Sequence, residues 1–174
     1  MEKIETARLT LRAPEKKDAP AMLEIRNSGY VRRYNPMALW ELPRMEKEIA
    51  QEIERGSALY IEGKETGALI GGIWLEPDGL RYGPKAYTIS YYLAQEEAGK
   101  GYMTEALLAF IPWAFEELRA DLLSARVFAP NKGSARLLQK VGFVHEGTLR
   151  RAVAAGGVTY DDMLFSLLPE DWKV

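Results

Sequence analysis

Tyr87–Glu105, YTISYYLAQEEAGKGYMTE, is the stretch whose reading decides the fold. Tyr87–Leu93 is rich in β-branched and aromatic residues and predicts a strand. Gln95–Gly101 is a polar turn closed by Gly99 and Gly101. From Tyr102 a helical pattern begins, with Met103, Leu107, Phe110, Ala114 and Leu118 on one face. Pro112 within it is expected to kink the helix or shorten it near Ala109. A strand that passes through a glycine-flanked turn into a helix leaves the first helical N–H groups without partners inside the helix, at its positive dipole end. Such an end suits phosphate, glycine allows close backbone approach, and Lys100 supplies a full charge. The same residues also serve as a plain tight connection. The commoner nucleotide loops do not fit: Lys100 is followed by Gly101 rather than Ser or Thr, and Thr104 stands where a dinucleotide fingerprint has its third glycine.

Working outward, the 174 residues suit one domain, 1–174, with a real core. Hydrophobic residues make up 47% and charged residues 28%, a globular balance. A net charge of −2 without a basic block argues against direct nucleic-acid binding. With no cysteine and one histidine, disulfides, cysteine nucleophiles and the usual nitrogen–sulfur metal sites are set aside, and no metal is expected. No secretory signal or membrane-length apolar run is visible, so the expected place is the cytoplasm, away from the membrane, as a monomer or homodimer.

Before the central stretch, Arg8–Ala13 alternates as a strand. Asp18 opens a short helix that tolerates Pro20 in its first turn, with Ala21, Met22 and Ile25 inward. Tyr30–Trp40 reads as irregular, with a turn at Asn35-Pro36. A second helix follows Pro43, with Met45, Ile49 and Ile53 at four-residue spacing and Gly56 past its end. Ala58–Glu62 and Ala68–Glu76 form a hairpin. After the central helix come a strand at Leu122–Phe128, a helix capped by Asn131 and ending at Gly142, and two strands, Phe143–Arg151 and Val158–Leu168, joined by a turn at Ala154–Gly157. Helices interspersed among hairpins imply a mixed α/β fold.

YYLAQEEAGKGYMTEAL, NKGSARLLQKVGF and HEGTLR, with the opening TARLTLRAPEKKDA, resemble the GNAT superfamily of acyl-CoA-dependent N-acyltransferases. The likeness is to the Rim-type branch, which includes enzymes acting on the N-terminal amine of ribosomal proteins. It runs from Thr6 to Trp172. The resemblance implies a mostly antiparallel sheet splayed in a V between Tyr87–Leu93 and Leu122–Phe128, with helices on both faces. It implies acetyl-CoA as cosubstrate. The backbone of Tyr92 and Leu93 would pair with the pantetheine. The turn from Gly99 through Lys100, Gly101, Tyr102 and Met103 to Thr104 would hold the pyrophosphate, and Asn131 would touch the pantetheine arm.

Acetyl transfer to an amine also needs an oxyanion donor, a path for the amine proton and help for the leaving thiolate. By resemblance, the N–H of Leu93 or a neighbour is the oxyanion donor; Leu138 stands where many relatives carry a tyrosine for the thiolate, and Ser134, where Rim-type members carry a serine, would bond the thiolate instead. Rim-type members often read Glu-Ile-Gly-Tyr where this chain reads Thr88-Ile89-Ser90-Tyr91. Threonine is no base near neutral pH, so either a water held by Thr88 and Ser90 relays the proton, or Asp161, Asp162 or Glu76 takes it. His145 reads as an ordinary strand residue. Tyr34, Asn35 and Trp40 are the candidate acceptor contacts, with Ser90. The acceptor is expected to be the α-amine of a protein or peptide. A small amine (amino acid, polyamine or antibiotic) and an idle acyl-CoA-binding module are the alternatives.

Overall fold

The computed structural model describes residues 3–35, 37–155 and 157–173. Pro36 and Gly156, each assigned to a turn from the sequence, lie outside these. Among the described residues, eight strands follow the hydrogen-bonded order β1-β2-β3-β4-β5-β6-β8-β7. They are β1 Ile4–Glu5, β2 Leu9–Arg12, β3 Ala58–Gly63, β4 Leu69–Pro77, β5 Ala86–Leu93, β6 Leu122–Phe128, β7 Val144–Ala155 and β8 Val158–Leu167. The α-helices among the described residues are α1 Ala19–Asn27, α2 Gly29–Arg32, α3 Leu42–Arg55, α4 Tyr102–Glu116 and α5 Lys132–Lys140. β5 and β6 run parallel, whereas β1–β2, β2–β3, β3–β4, β6–β8 and β7–β8 are antiparallel. The mixed, mostly antiparallel sheet expected from the sequence is therefore present. β1 and α2 had not been read from it.

The chain divides into two compact units: residues up to Trp74 with Tyr91–Ala109, and Leu75–Ser90 with the residues from Phe110 onward. In the first unit, Ala19, Met22, Met45, Ile49, Ala58 and Tyr60 form a core. α3 begins with Pro43 in its first turn and stops at Gly56, which sits at φ 61 and donates its N–H to the Glu52 carbonyl. The four-residue spacing read in α3 and one inward assignment in α1 depart from the observed burial. Ile53 is 43% exposed, and Glu52 takes the buried place instead. Three residues on from Ile49 and seven from Met45, Glu52 continues the buried stripe of a 3.6-residue period more closely than Ile53 does. Ala21 is exposed, while Ala19, Met22, Ile25 and Arg26 face inward. Burial pushes the Glu52 carboxyl above its ordinary range, an effect opposed by donors from Tyr60 Oη at 2.8 Å and Trp74 Nε1 at 2.6 Å. Ahead of α1, Arg12 grips Asp18 with two nitrogens at 2.8 and 2.9 Å, and both residues are buried.

In the second unit, β5 pairs with β6 from Ala86–Leu122 to Ile89–Ala125, and the ladder ends there although both strands continue. β8 lies beside β6 out to Asp162–Phe128. Phe110, Leu123, Leu138, Phe165 and Leu167 are among its buried side chains. α4 carries Pro112 in its interior and still runs to Glu116, so the expected shortening near Ala109 does not occur. Leu118, expected on its apolar face, lies beyond the helix. Among the described residues, no helix is long and apolar enough to cross a membrane.

Candidate functional site

The turn between β5 and α4 lies in the first unit. After a single 3-10 turn at Gln95–Glu97, Gly99 and Gly101 take φ values of 76 and 82, conformations that suit glycine. The N–H of Glu105 bonds to the Gly101 carbonyl at 3.0 Å, so the amides of Tyr102, Met103 and Thr104 precede the helical ladder. A Cβ on Gly99 would meet nothing within 4 Å, which leaves its backbone approachable. Lys100 pairs with Glu97 at 2.9 Å, which offsets part of its charge.

A second cation, Arg8, had no sequence signal as a site residue. Its Nη1 donates to the Lys100 carbonyl at 3.0 Å, and its guanidinium lies 4.4 Å from the centre of the Tyr102 ring. Its Nη2 is 3.5 Å from where a Gly101 Cβ would stand. Glu105 Oε2 holds Arg8 Nε at 2.6 Å, while Glu105 Oε1 accepts from Thr6 Oγ1 at 2.6 Å and the Arg8 N–H at 2.8 Å. Partial burial alone would raise the Glu105 carboxyl, but these donors hold it below its ordinary range. Only a contact spanning nearly a hundred residues brings Arg8 here, which is why the local pattern hid it.

Upstream, Gly71 on β4 faces the end of β5. A Cβ there would lie 2.2 Å from the Tyr92 carbonyl oxygen and 2.9 Å from Leu93 Cα, so no side chain fits. The Ala94 N–H bonds to the Ile70 carbonyl at 2.8 Å. The Tyr92 carbonyl is thus turned toward β4, and strand alternation turns the Leu93 backbone the other way. The Tyr92 ring stacks on Trp74 with centroids 4.4 Å apart, and burial raises its phenol pKa.

Tyr34, Asn35 and Trp40 also belong to the first unit. The segment around them is anchored. The guanidiniums of Arg26 and Arg44 lie 3.5 and 4.5 Å from the centre of the Trp40 ring. Asn27 bonds both its N–H and its carbonyl, at 3.1 and 2.8 Å. Asn35 Nδ2 donates to the Val31 carbonyl at 2.8 Å.

Thr88, Ser90, Asn131 and Ser134 belong to the second unit. Thr88 Oγ1 lies 2.9 Å from Ser124 Oγ, its direct neighbour across the parallel ladder. Asp78 accepts from the Leu80 N–H at 2.6 Å and Arg81 Nη1 at 2.7 Å, and Arg81 Nη2 reaches Glu146 at 2.6 Å. Ser166 donates to the other Glu146 oxygen at 2.7 Å. Burial would raise the Asp78 carboxyl, but donors from Ser124, Leu80 and Arg81 hold it below the ordinary carboxylate range. Ser90 is exposed. Asn131 caps α5, its Oδ1 accepting the Ser134 N–H at 3.1 Å, and Leu138 is fully buried.

The proposed proton acceptors differ sharply. Asp161 Oδ1 accepts the Arg151 N–H at 2.8 Å, and Asp162 is buried beside Arg126. Glu76 is exposed. His145 is also exposed, against the Phe165 ring and 3.2 Å from the Thr148 hydroxyl. Among the described residues, no three His, Cys, Asp or Glu side chains gather as metal ligands.

The model of the acetyltransferase (GNAT) domain matches residues 8–144. An uncharacterized N-acetyltransferase of Bacillus subtilis, YoaA, is 30% identical over 174 residues, covering 95% of this chain and 96% of that one. The structure of a ribosomal-protein-S5-alanine acetyltransferase from Vibrio fischeri aligns with a TM-score of 0.86 at 24% identity over all of both chains. A spermidine N-acetyltransferase from Vibrio cholerae, in complex with CoA and spermine, aligns with a TM-score of 0.84 at 22% identity over 95% of this chain and 98% of that one. By its sequence and its fold, this chain belongs to the GNAT family and is an N-acetyltransferase.

Proposed function

We propose that the chain moves an acetyl group from acetyl-CoA to the α-amine of a protein or peptide by direct attack in a ternary complex. The observation that supports the acetyl-CoA part of this reading is the β5–turn–α4 junction: amides ahead of the helical ladder, two glycines at positive φ, and Arg8 beside Gly101. An anionic pyrophosphate suits that end of a helix. The amides of Gly99–Thr104 and the charges of Lys100 and Arg8 hold it. The Leu93 backbone, turned away from β4, pairs with the pantetheine and offers its N–H to the developing oxyanion. Tyr92 contributes packing. Asn131 contacts the pantetheine arm, and the Ser134 hydroxyl stabilises the leaving thiolate. Tyr34, Asn35, Trp40 and Ser90 contact the acceptor. Deprotonation runs through a water at Thr88 and Ser90. The two units act as one catalytic domain, a reading supported by the family match, which spans both.

A small-amine acceptor is the second reading, favoured by the fold shared with the spermidine enzyme. An acetyl-CoA consumption assay over a peptide with a free N-terminal alanine, spermidine and free lysine separates the two. Turnover of the peptide and not of its N-blocked form is expected. Turnover confined to spermidine or lysine replaces the first reading with the second. Calorimetric binding of acetyl-CoA without turnover of any amine reduces the chain to an acyl-CoA-binding module.

A further inference from the structure

Asp162 carries an oxygen that the fold does not use. The residue is 2% exposed. Its Oδ2 accepts from Arg126 Nε and Nη2, both at 2.6 Å, while Oδ1 is buried without a hydrogen-bond partner among the described residues. A buried carboxylate oxygen without a donor is costly, and natural proteins keep few of them.

Its surroundings suit an amine. Asp162 faces Phe128 directly in the β6–β8 ladder, so the two side chains share one face of the sheet. Tyr160, two residues away on that face, stacks on Phe128 with centroids 6.2 Å apart and an interplanar angle of 17°. A carboxylate beside aromatic rings attracts a cation or a polarised N–H. The location is also informative. The Ala129 N–H bonds to the Asp161 carbonyl at 2.9 Å, and the Asn131 N–H to the Phe128 carbonyl at 2.7 Å. Asp162 thus flanks the short segment that leads from β6 to Asn131 and Ser134, the residues assigned above to the thioester arm. Arg126, with its side chain 47% exposed, takes one carboxylate oxygen and leaves Oδ1 without a donor among the described residues.

We infer that Asp162 Oδ1 accepts a hydrogen bond from the primary amine of the acceptor and holds it beside the thioester. This rests on the reading of the chain as an acetyl-CoA-dependent enzyme with Asn131 and Ser134 at the reacting end. It assigns Asp162 to acceptor binding, with Arg126 as the residue that fixes the carboxylate.

The test is steady-state kinetics with the panel amine that the wild type acetylates fastest. Asp162→Asn should raise the KM for that amine at least tenfold while the KM for acetyl-CoA stays within twofold. Arg126→Gln keeps Oδ1 but frees the carboxylate it fixes, and should raise the amine KM by a smaller factor than Asp162→Asn does, again with the KM for acetyl-CoA within twofold. An amine KM within twofold in Asp162→Asn overturns the inference. So does a loss in both variants of melting temperature and of both KM values in parallel, since that marks a structural pair only. A wild-type crystal structure with the amine bound decides the matter even if a variant does not fold. An amine nitrogen on Oδ1 supports the inference, and a water there with the amine elsewhere overturns it. Failure of the parent reading is visible first, as a wild type that acetylates no amine, and that result removes this inference too. Failure of Asp162 alone leaves wild-type turnover intact.

Discussion

Gly101 stands at φ 82, where a β-branched residue is strained by about 1–2 kcal/mol and its Cβ reaches into the space of a phosphate. Gly101→Val is expected to weaken acetyl-CoA binding at least tenfold by calorimetry, and unchanged affinity removes the turn from the binding site. Single residues were legible where a local rule fixes them. Gly99, Gly101 and Asn131 follow from turn and cap chemistry. Arg8 and Ser124 were not, because each acquires its role from a partner distant in the chain. Ser124 shows the limit well. Its place in a strand was readable, but its bond to Thr88 requires the register of a parallel ladder. Ile53 failed for a different reason, since a four-residue spacing drifts off the buried stripe within two turns.

At the level of elements, α4 is tied to the start of β2 through Glu105. Three donors from Thr6 and Arg8 converge on that carboxylate. Its pKa is depressed in the folded chain, so the stability it contributes is present above the ordinary carboxylate pKa and is lost as pH falls through the lowered value. Glu105→Gln should cost about 1–2 kcal/mol near neutral pH. Thermal melts at pH 7 and pH 3 should show the gap between wild type and variant narrowing in acid, and a gap independent of pH contradicts the assignment. Most elements were readable because period and caps agree, and β6 matches its expected span at both ends. α4 outlasts Pro112 because its apolar face is buried on either side of the proline, at Met103, Ala106 and Leu107 and again at Ile111 and Ala114. That tertiary burial outweighs one lost backbone bond. β1 is two residues long, below what periodicity detects.

For the whole molecule, acidic groups are held by neighbours at Asp78, Glu105 and Glu146, and Thr88 supplies no carboxylate. With deprotonation relayed by water, log kcat/KM should climb with pH up to the acceptor's own pKa, with no enzyme base visible below it. Thr88→Val should cost about 1 kcal/mol in activation. A plateau set by an enzyme group well below the amine's pKa rejects the relay. The overall architecture was legible because strand, turn and helix signals agreed along the chain. The acceptor contacts were less so, since their candidates come from separate stretches and no local spacing links them. The passage between the two compact units has a consequence for descent. It falls inside β4, β5 and α4 rather than in loops, and the chain makes it three times. A crossover between related genes at any of those points would join half an element from each parent. The gene therefore offers no seam, outside a strand or helix, for exchanging one unit whole.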